Sequence, residues 1–169
     1  AKAKRACADK GYVADPFASL LCEGDAAGDP LLHRGYYARH RAVDAALRSF
    51  VRLHPRGQIV ALGAGLDGSF WRLKATGCEC AYFEVDSELV VAEKQRLIRN
   101  HPILVEAVGQ YAAGVSGAED DRGLYRLIGG DLRDMSTVAL ALEREGLDAT
   151  KPTLVLCECV LAYLDSDRG

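Results

Sequence analysis

The sequence predicts an α/β fold built on an open, mostly parallel sheet. Short apolar runs alternate with helical stretches from residue 58 onward, strand then helix three times and then a further strand. Those runs are apolar almost throughout, as in strands covered by helices on both faces. Each run also meets glycine or acid at its C-terminal end: Gly63 and Gly65, Glu84 and Asp86, Asp131, and Glu158. In open parallel sheets, ligands sit at those ends.

The elements follow in order. Lys4 to about Lys10 reads as helical and Gly11-Tyr12 ends it. Asp15-Pro16-Phe17 reads as a turn opening a short helix, with proline at an allowed first position. Residues 24–30 read as loop. A helix of about 15 residues follows Arg34, with Val43, Ala46, Leu47, Phe50 and Leu53 as its apolar stripe. His54-Pro55-Arg56-Gly57 stops it.

The first strand covers 59–62, and Gly63-Ala64-Gly65 turns it toward a helix start at Ser69. A second strand, 80–84, runs on into Val85-Asp86. A helix over 87–99 has Ser87 as N-cap and Leu89, Val90, Leu97 and Ile98 as its apolar face. His101-Pro102 reads as its stop, and 102–122 as an irregular insertion. A third strand, 124–128, leads to Gly129-Gly130-Asp131. Asp134 or Ser136 caps the next helix, which carries Val138 and Leu142 and stops at Gly146. The fourth strand, 153–159, contains Glu158. This divides the chain into an N-terminal helical segment, 1–57, and an α/β part, 58–169.

The strand–glycine–helix unit is built to hold a nucleotide-type ligand. Glycine admits close backbone approach, and a helix start offers N–H groups. Asp86, about 20 residues further on, is placed to bond ribose hydroxyls. Gly63-x-Gly65-x-x-Gly68 fits the nicotinamide-dinucleotide fingerprint equally well. These residues alone therefore leave a dinucleotide and S-adenosylmethionine both open. Arg34 and Arg39 flank Tyr36 and Tyr37, and a guanidinium there can grip a carboxylate.

Composition narrows the classes. The 169 residues suit one domain or part of one, and 49% hydrophobic content suffices for a core. A net charge of −3 argues against a general nucleic-acid or membrane-surface binder. No apolar run reaches the ~20 residues of a membrane span. The basic start is followed by no apolar stretch of a signal peptide. The six cysteines include Cys78-x-Cys80 and Cys157-x-Cys159, neither a redox nor a zinc pair. Cys157 and Cys159 read as small buried hydrophobes, and free thiols suit the cytoplasm. The four histidines are dispersed, so no metal ligands and no catalytic base are assigned.

Several stretches together are specific. They are Arg34-Gly35-Tyr36-Tyr37-Ala38-Arg39, Leu62-Gly63-Ala64-Gly65-Leu66-Asp67, Phe70-Trp71-Arg72-Leu73-Lys74, Tyr82-Phe83-Glu84-Val85-Asp86, Gly130-Asp131-Leu132-Arg133-Asp134 and Glu158-Cys159-Val160-Leu161-Ala162-Tyr163. In content and order they resemble the leucine carboxyl methyltransferase family, over most of the chain outside 100–122. The resemblance implies a Rossmann-like methyltransferase fold, S-adenosylmethionine as methyl donor, and the C-terminal leucine of the protein phosphatase 2A catalytic subunit as acceptor.

Residue by residue, the resemblance implies that Lys4 and Arg39 lie near the methionine part of the cofactor, with Gly63 at close approach. It implies that Asp86, with Glu84 beside it, faces the ribose. It further implies that Asp131 and Leu132 contact adenine, that Glu158 lies near the cofactor's amino group, and that Tyr163 lies where the acceptor enters. Gly68 departs from the threonine expected in relatives. The resemblance also implies further strands beyond 169, hence a sheet incomplete at its C-terminal end. Related alternatives are a tRNA wybutosine-type methyltransferase and a non-catalytic S-adenosylmethionine-binding fragment. A nicotinamide-dependent oxidoreductase is the remaining rival.

Overall fold

A computed structural model describes residues 2–23, 30–112 and 124–164. The expected loop at 24–29 and the end of the expected insertion lie outside these. Helix α1 (Lys2–Asp9) packs on α2 (Pro30–Leu53), and β1 (Gln58–Leu62) follows. Then come α3 (Ser69–Lys74), β2 (Ala81–Asp86), α4 (Glu88–Arg99), α5 (Pro102–Ala112), β3 (Tyr125–Gly129), α6 (Met135–Arg144) and β4 (Thr153–Cys157). A single 3-10 turn, Leu161–Tyr163, closes the described chain.

The sheet is four-stranded in the order β3-β2-β1-β4, and every pairing is parallel. The register aligns Leu62 with Val85 and with Cys157, and Asp86 with Gly129. The C-terminal ends of all four strands therefore meet at one edge of the sheet.

The larger core lies on one face. Phe70, Trp71, Tyr82 and Tyr125 pack there edge to face or tilted, with ring centroids 4.7–5.7 Å apart across the Phe70–Tyr125, Trp71–Tyr125 and Phe70–Tyr82 pairs. Leu21 and Leu47 from the N-terminal segment join the same core. The other face packs Val60, Phe83, Val85 and Ile128 against Val138 and Leu142 of α6.

Four expectations need correction. Residues 102–112 are helical, broken only at Gly109, whose φ is 82°. Pro102 therefore starts α5 rather than merely ending α4, a position where its missing N–H costs nothing. Residues 16–20 form turns and not a short helix. α2 starts at Pro30 and runs 24 residues, longer than its apolar stripe suggested. Cys157 and Cys159 are exposed: among the described strands β4 is outermost, and its residues alternate in exposure instead of being covered on both faces.

Candidate functional site

The site is built from the strand ends upward. After β1, Gly63 and Gly65 adopt φ of +65° and +55°, where side chains are strained. The Gly63 N–H donates to the Val85 carbonyl at 2.8 Å, tying the loop to β2. A Cβ on Gly63 would lie 2.4 Å from Cγ2 of Val160. Glycine is required here by conformation and by that neighbour, before any ligand is considered.

A hollow of about 210 Å³ opens above this loop. Its walls are Lys4 of α1, Tyr36 and Arg39 of α2, residues of the 61–67 segment, Leu156 of β4, and Glu158. Across it, Arg39 donates its Nε–H to the Glu158 carboxylate. The Arg39 guanidinium also stands 5.6 Å from the Tyr36 ring centroid.

Lys4 is buried beneath the hollow. Its ammonium donates to Asp67 at 2.5 Å and lies 3.6 Å from Asp15. Arg72 donates to Asp15 at 2.6 Å and to the Ser69 hydroxyl at 2.7 Å. Asp67 also accepts the Ser69 N–H at 2.7 Å, at the start of α3. Burial by itself would raise the Asp67 pKa; the cations Lys4, Arg72 and Lys94 outweigh it and hold that carboxyl well below its usual range. Lys4 is thus matched by Asp67 and Asp15, so it fixes the loop rather than offering an unmatched charge.

Beyond β2 and β3 lies a second hollow of about 430 Å³, lined by Asp86, Ser87, Glu88, Gly130, Asp131, Leu132 and Arg133. Asp86 accepts the Gly65 N–H at 2.7 Å and the Ser87 N–H at 2.8 Å. Because Gly65 lines the first hollow and Asp86 the second, that bond is where the two meet. Asp131 is gripped by Arg133, with Nη2 at 2.6 Å, and the Arg133 side chain and N–H bring its pKa down to about 2. Asp134 caps α6, accepting the Thr137 N–H at 3.1 Å.

The structure thus divides the expected site residues. Lys4, Arg39, Gly63 and Glu158 line the first hollow; Asp86, Asp131 and Leu132 line the second. Tyr163 lines neither and is 85% exposed. Glu84 lines neither hollow. Its side chain is wholly buried, paired with Lys94 and accepting the Tyr125 hydroxyl at 2.6 Å. Burial raises its pKa and Lys94 opposes that rise. Alternation puts Glu84 and Asp86 on the same face of β2, so the difference lies along the strand: Glu84 sits inside β2 under Lys94 and Tyr125, while Asp86 is its last residue, at the open end.

Asp15, Asp67, Arg72 and Lys94 form a supporting network to which motif reading gave no role. A signal existed for Lys94, which falls at helical spacing with Val91, Leu97 and Ile98, all buried. Another existed for Arg72, embedded in Phe70-Trp71-Arg72-Leu73. Among the described residues, no three His, Cys, Asp or Glu side chains gather to hold a metal ion, and no helix is long and apolar enough to cross a membrane.

A parallel open sheet, a glycine turn after its first strand and hollows at the strand ends define a Rossmann-like fold of the methyltransferase class. The chain belongs to the leucine carboxyl methyltransferase family, whose profile matches residues 1–168. It is 42% identical to the tRNA wybutosine-synthesizing protein 4 of Rattus norvegicus, over 98% of this chain and 26% of that protein. It is 33% identical to leucine carboxyl methyltransferase 1 of Rattus norvegicus, over 98% of this chain and 52% of the relative. A homologue of the latter from Arabidopsis thaliana is 30% identical over 98% of this chain and 51% of its own length. The chain therefore spans about half of these carboxyl methyltransferases and about a quarter of the wybutosine protein.

Proposed function

We propose that the protein is an S-adenosylmethionine-dependent carboxyl methyltransferase of the cytoplasm, acting on the C-terminal leucine of the protein phosphatase 2A catalytic subunit. The observation that carries this is the Arg39–Glu158 pair across the first hollow. A cation and an anion facing each other match the carboxylate and ammonium of an α-amino acid such as the methionine end of the cofactor.

The donor set fits the group. Arg39 grips the carboxylate with its guanidinium, and Glu158 accepts from the ammonium. Asp86 is oriented by two backbone N–H groups, yet each carboxylate oxygen keeps lone pairs for ribose hydroxyls. Leu132 packs the adenine ring, and Asp131 accepts from its exocyclic amine with the lone pairs that Arg133, which donates to the same carboxylate, leaves free. Lys4 holds the 63–67 loop through Asp67. When bound, S-adenosylmethionine supplies a methyl group on a sulfonium.

The acceptor asks little of acid–base chemistry. An α-carboxyl, with a pKa of roughly 3.5, is already an anion at neutral pH. The chain's part is to align the reacting atoms and exclude water. Residues 1–57 contribute Lys4, Tyr36 and Arg39 as one wall, and 58–169 the sheet edge as the other. Tyr163, exposed beyond Glu158, is assigned to the acceptor side.

A second reading, methylation within tRNA, is favoured by the higher identity to the wybutosine relative. The family assignment sets the nicotinamide reading aside. Incubation with methyl-labelled S-adenosylmethionine tests the proposal, offering the phosphatase subunit with and without its terminal leucine, and tRNA bearing wybutosine precursors. Label on the leucine-ended subunit alone is expected; label on tRNA alone would replace this reading with the second.

A further inference from the structure

A second cleft lies away from the cofactor hollows, between the end of α1 and the first turns of α2. Its volume is about 480 Å³, and Lys10, Tyr12, His33, Arg34 and Tyr37 line it. None of these lines either cofactor hollow.

His33 is only 2% exposed, and its Nε2 has no hydrogen-bond partner. Its other ring nitrogen, Nδ1, lies 3.4 Å from the Lys10 ammonium. An ammonium can only donate, so Nδ1 accepts and the ring proton sits on Nε2. The cleft is therefore lined by a residue with a buried N–H donor that lacks an acceptor, an arrangement that is costly in a protein interior.

The remaining walls are of one sign. Lys10 and Arg34 bring two positive charges, and among the described residues neither has a carboxylate partner. His33 and Arg34 also stand in the opening turns of α2, where the helix end favours anions. Tyr12 and Tyr37, 55% and 42% exposed, add two phenol rings.

We propose that this cleft binds a phosphate monoester, through the His33 Nε2–H, Lys10 and Arg34, with its organic group against Tyr12 and Tyr37. Two cations match the charge of a monoester, near −2 at neutral pH, better than that of a carboxylate. A guanidinium fork, an ammonium and an imidazole N–H supply separate donors for its oxygens.

The test uses NMR of the ¹⁵N-labelled protein, following the His33 ring and titrating inorganic phosphate, phenyl phosphate and acetate. The His33 Nε2–H tautomer is expected before ligand is added. A saturable shift of that proton should follow with either phosphate, tighter for phenyl phosphate and weaker for acetate. Arg34→Ala, a change at an exposed side chain, should weaken phosphate binding by about tenfold, while Arg39→Ala leaves it unchanged and so separates this cleft from the cofactor hollow. His33→Gln, which retains a side-chain N–H, should keep more affinity than His33→Phe. No saturable shift, or a shift indifferent to Arg34→Ala, would overturn the proposal whatever the outcome for S-adenosylmethionine.

Discussion

Arg39 and Glu158, 119 residues apart in the chain, are joined by an ion pair across the first hollow. Arg39 comes from the second helix and Glu158 from just past the last strand, so the pair ties the helical segment to the sheet edge. Both side chains keep solvent contact, at 44% and 25% exposure. Such a pair contributes at most about 1 kcal/mol, and a ligand able to replace both partners can open it cheaply.

Stability and binding should therefore separate at this pair. Arg39→Ala should change urea unfolding by less than about 1 kcal/mol, while cofactor affinity falls by at least about tenfold. A large loss of stability with affinity retained would make the pair a brace rather than part of the site.

Gly63 offers a second test. Gly63→Ala places a methyl group 2.4 Å from Val160 in a backbone conformation costing roughly 1–2 kcal/mol for any side chain. Thermal unfolding should show clear destabilisation, and adding Val160→Ala should recover the steric part while leaving the conformational part. Full recovery, or none, would show that only one of the two constraints acts.

Glu84 and Lys94 are both wholly buried, and Lys94 also donates to the Asp67 carbonyl at 2.8 Å. Glu84→Gln leaves the ammonium without its counter-charge, and a loss of about 3–5 kcal/mol is expected. Lys94→Met should cost a similar amount, and the double variant less than the sum of the two. Denaturant titrations of the four proteins check this; strict additivity would show that the two charges are not coupled.

Acid sensitivity follows from Asp67. Its folded pKa lies below the ~3.9 of an unfolded aspartate, so its stabilisation is complete above that value and is lost as pH falls through it. Wild-type protein should lose more stability than Asp67→Asn between pH 6 and 3. Parallel pH curves for the two would contradict the role given to Lys4 and Arg72.

Much of this was readable from the residues. All four strands fall where apolar runs meet glycine or acid, because buried parallel strands need such runs and ligand ends need such residues. What escaped reading depends on neighbours in space. Pro102 marks both a stop and a start, and only the start was hidden. Glu84 looks like a site acid until Lys94 and Tyr125 are seen around it. Cys157 looks like a core residue until the alternating exposure of β4 is seen. The division of the site into two hollows joined at Gly65–Asp86 has no counterpart in any single motif.

That joint is the centre of the account, and calorimetric titration of S-adenosylmethionine into wild type, Arg39→Ala and Asp86→Ala tests it most directly. One molecule per chain is expected, with binding weakened by both substitutions although they line different hollows. Unchanged affinity in either variant would contradict a single cofactor spanning the two.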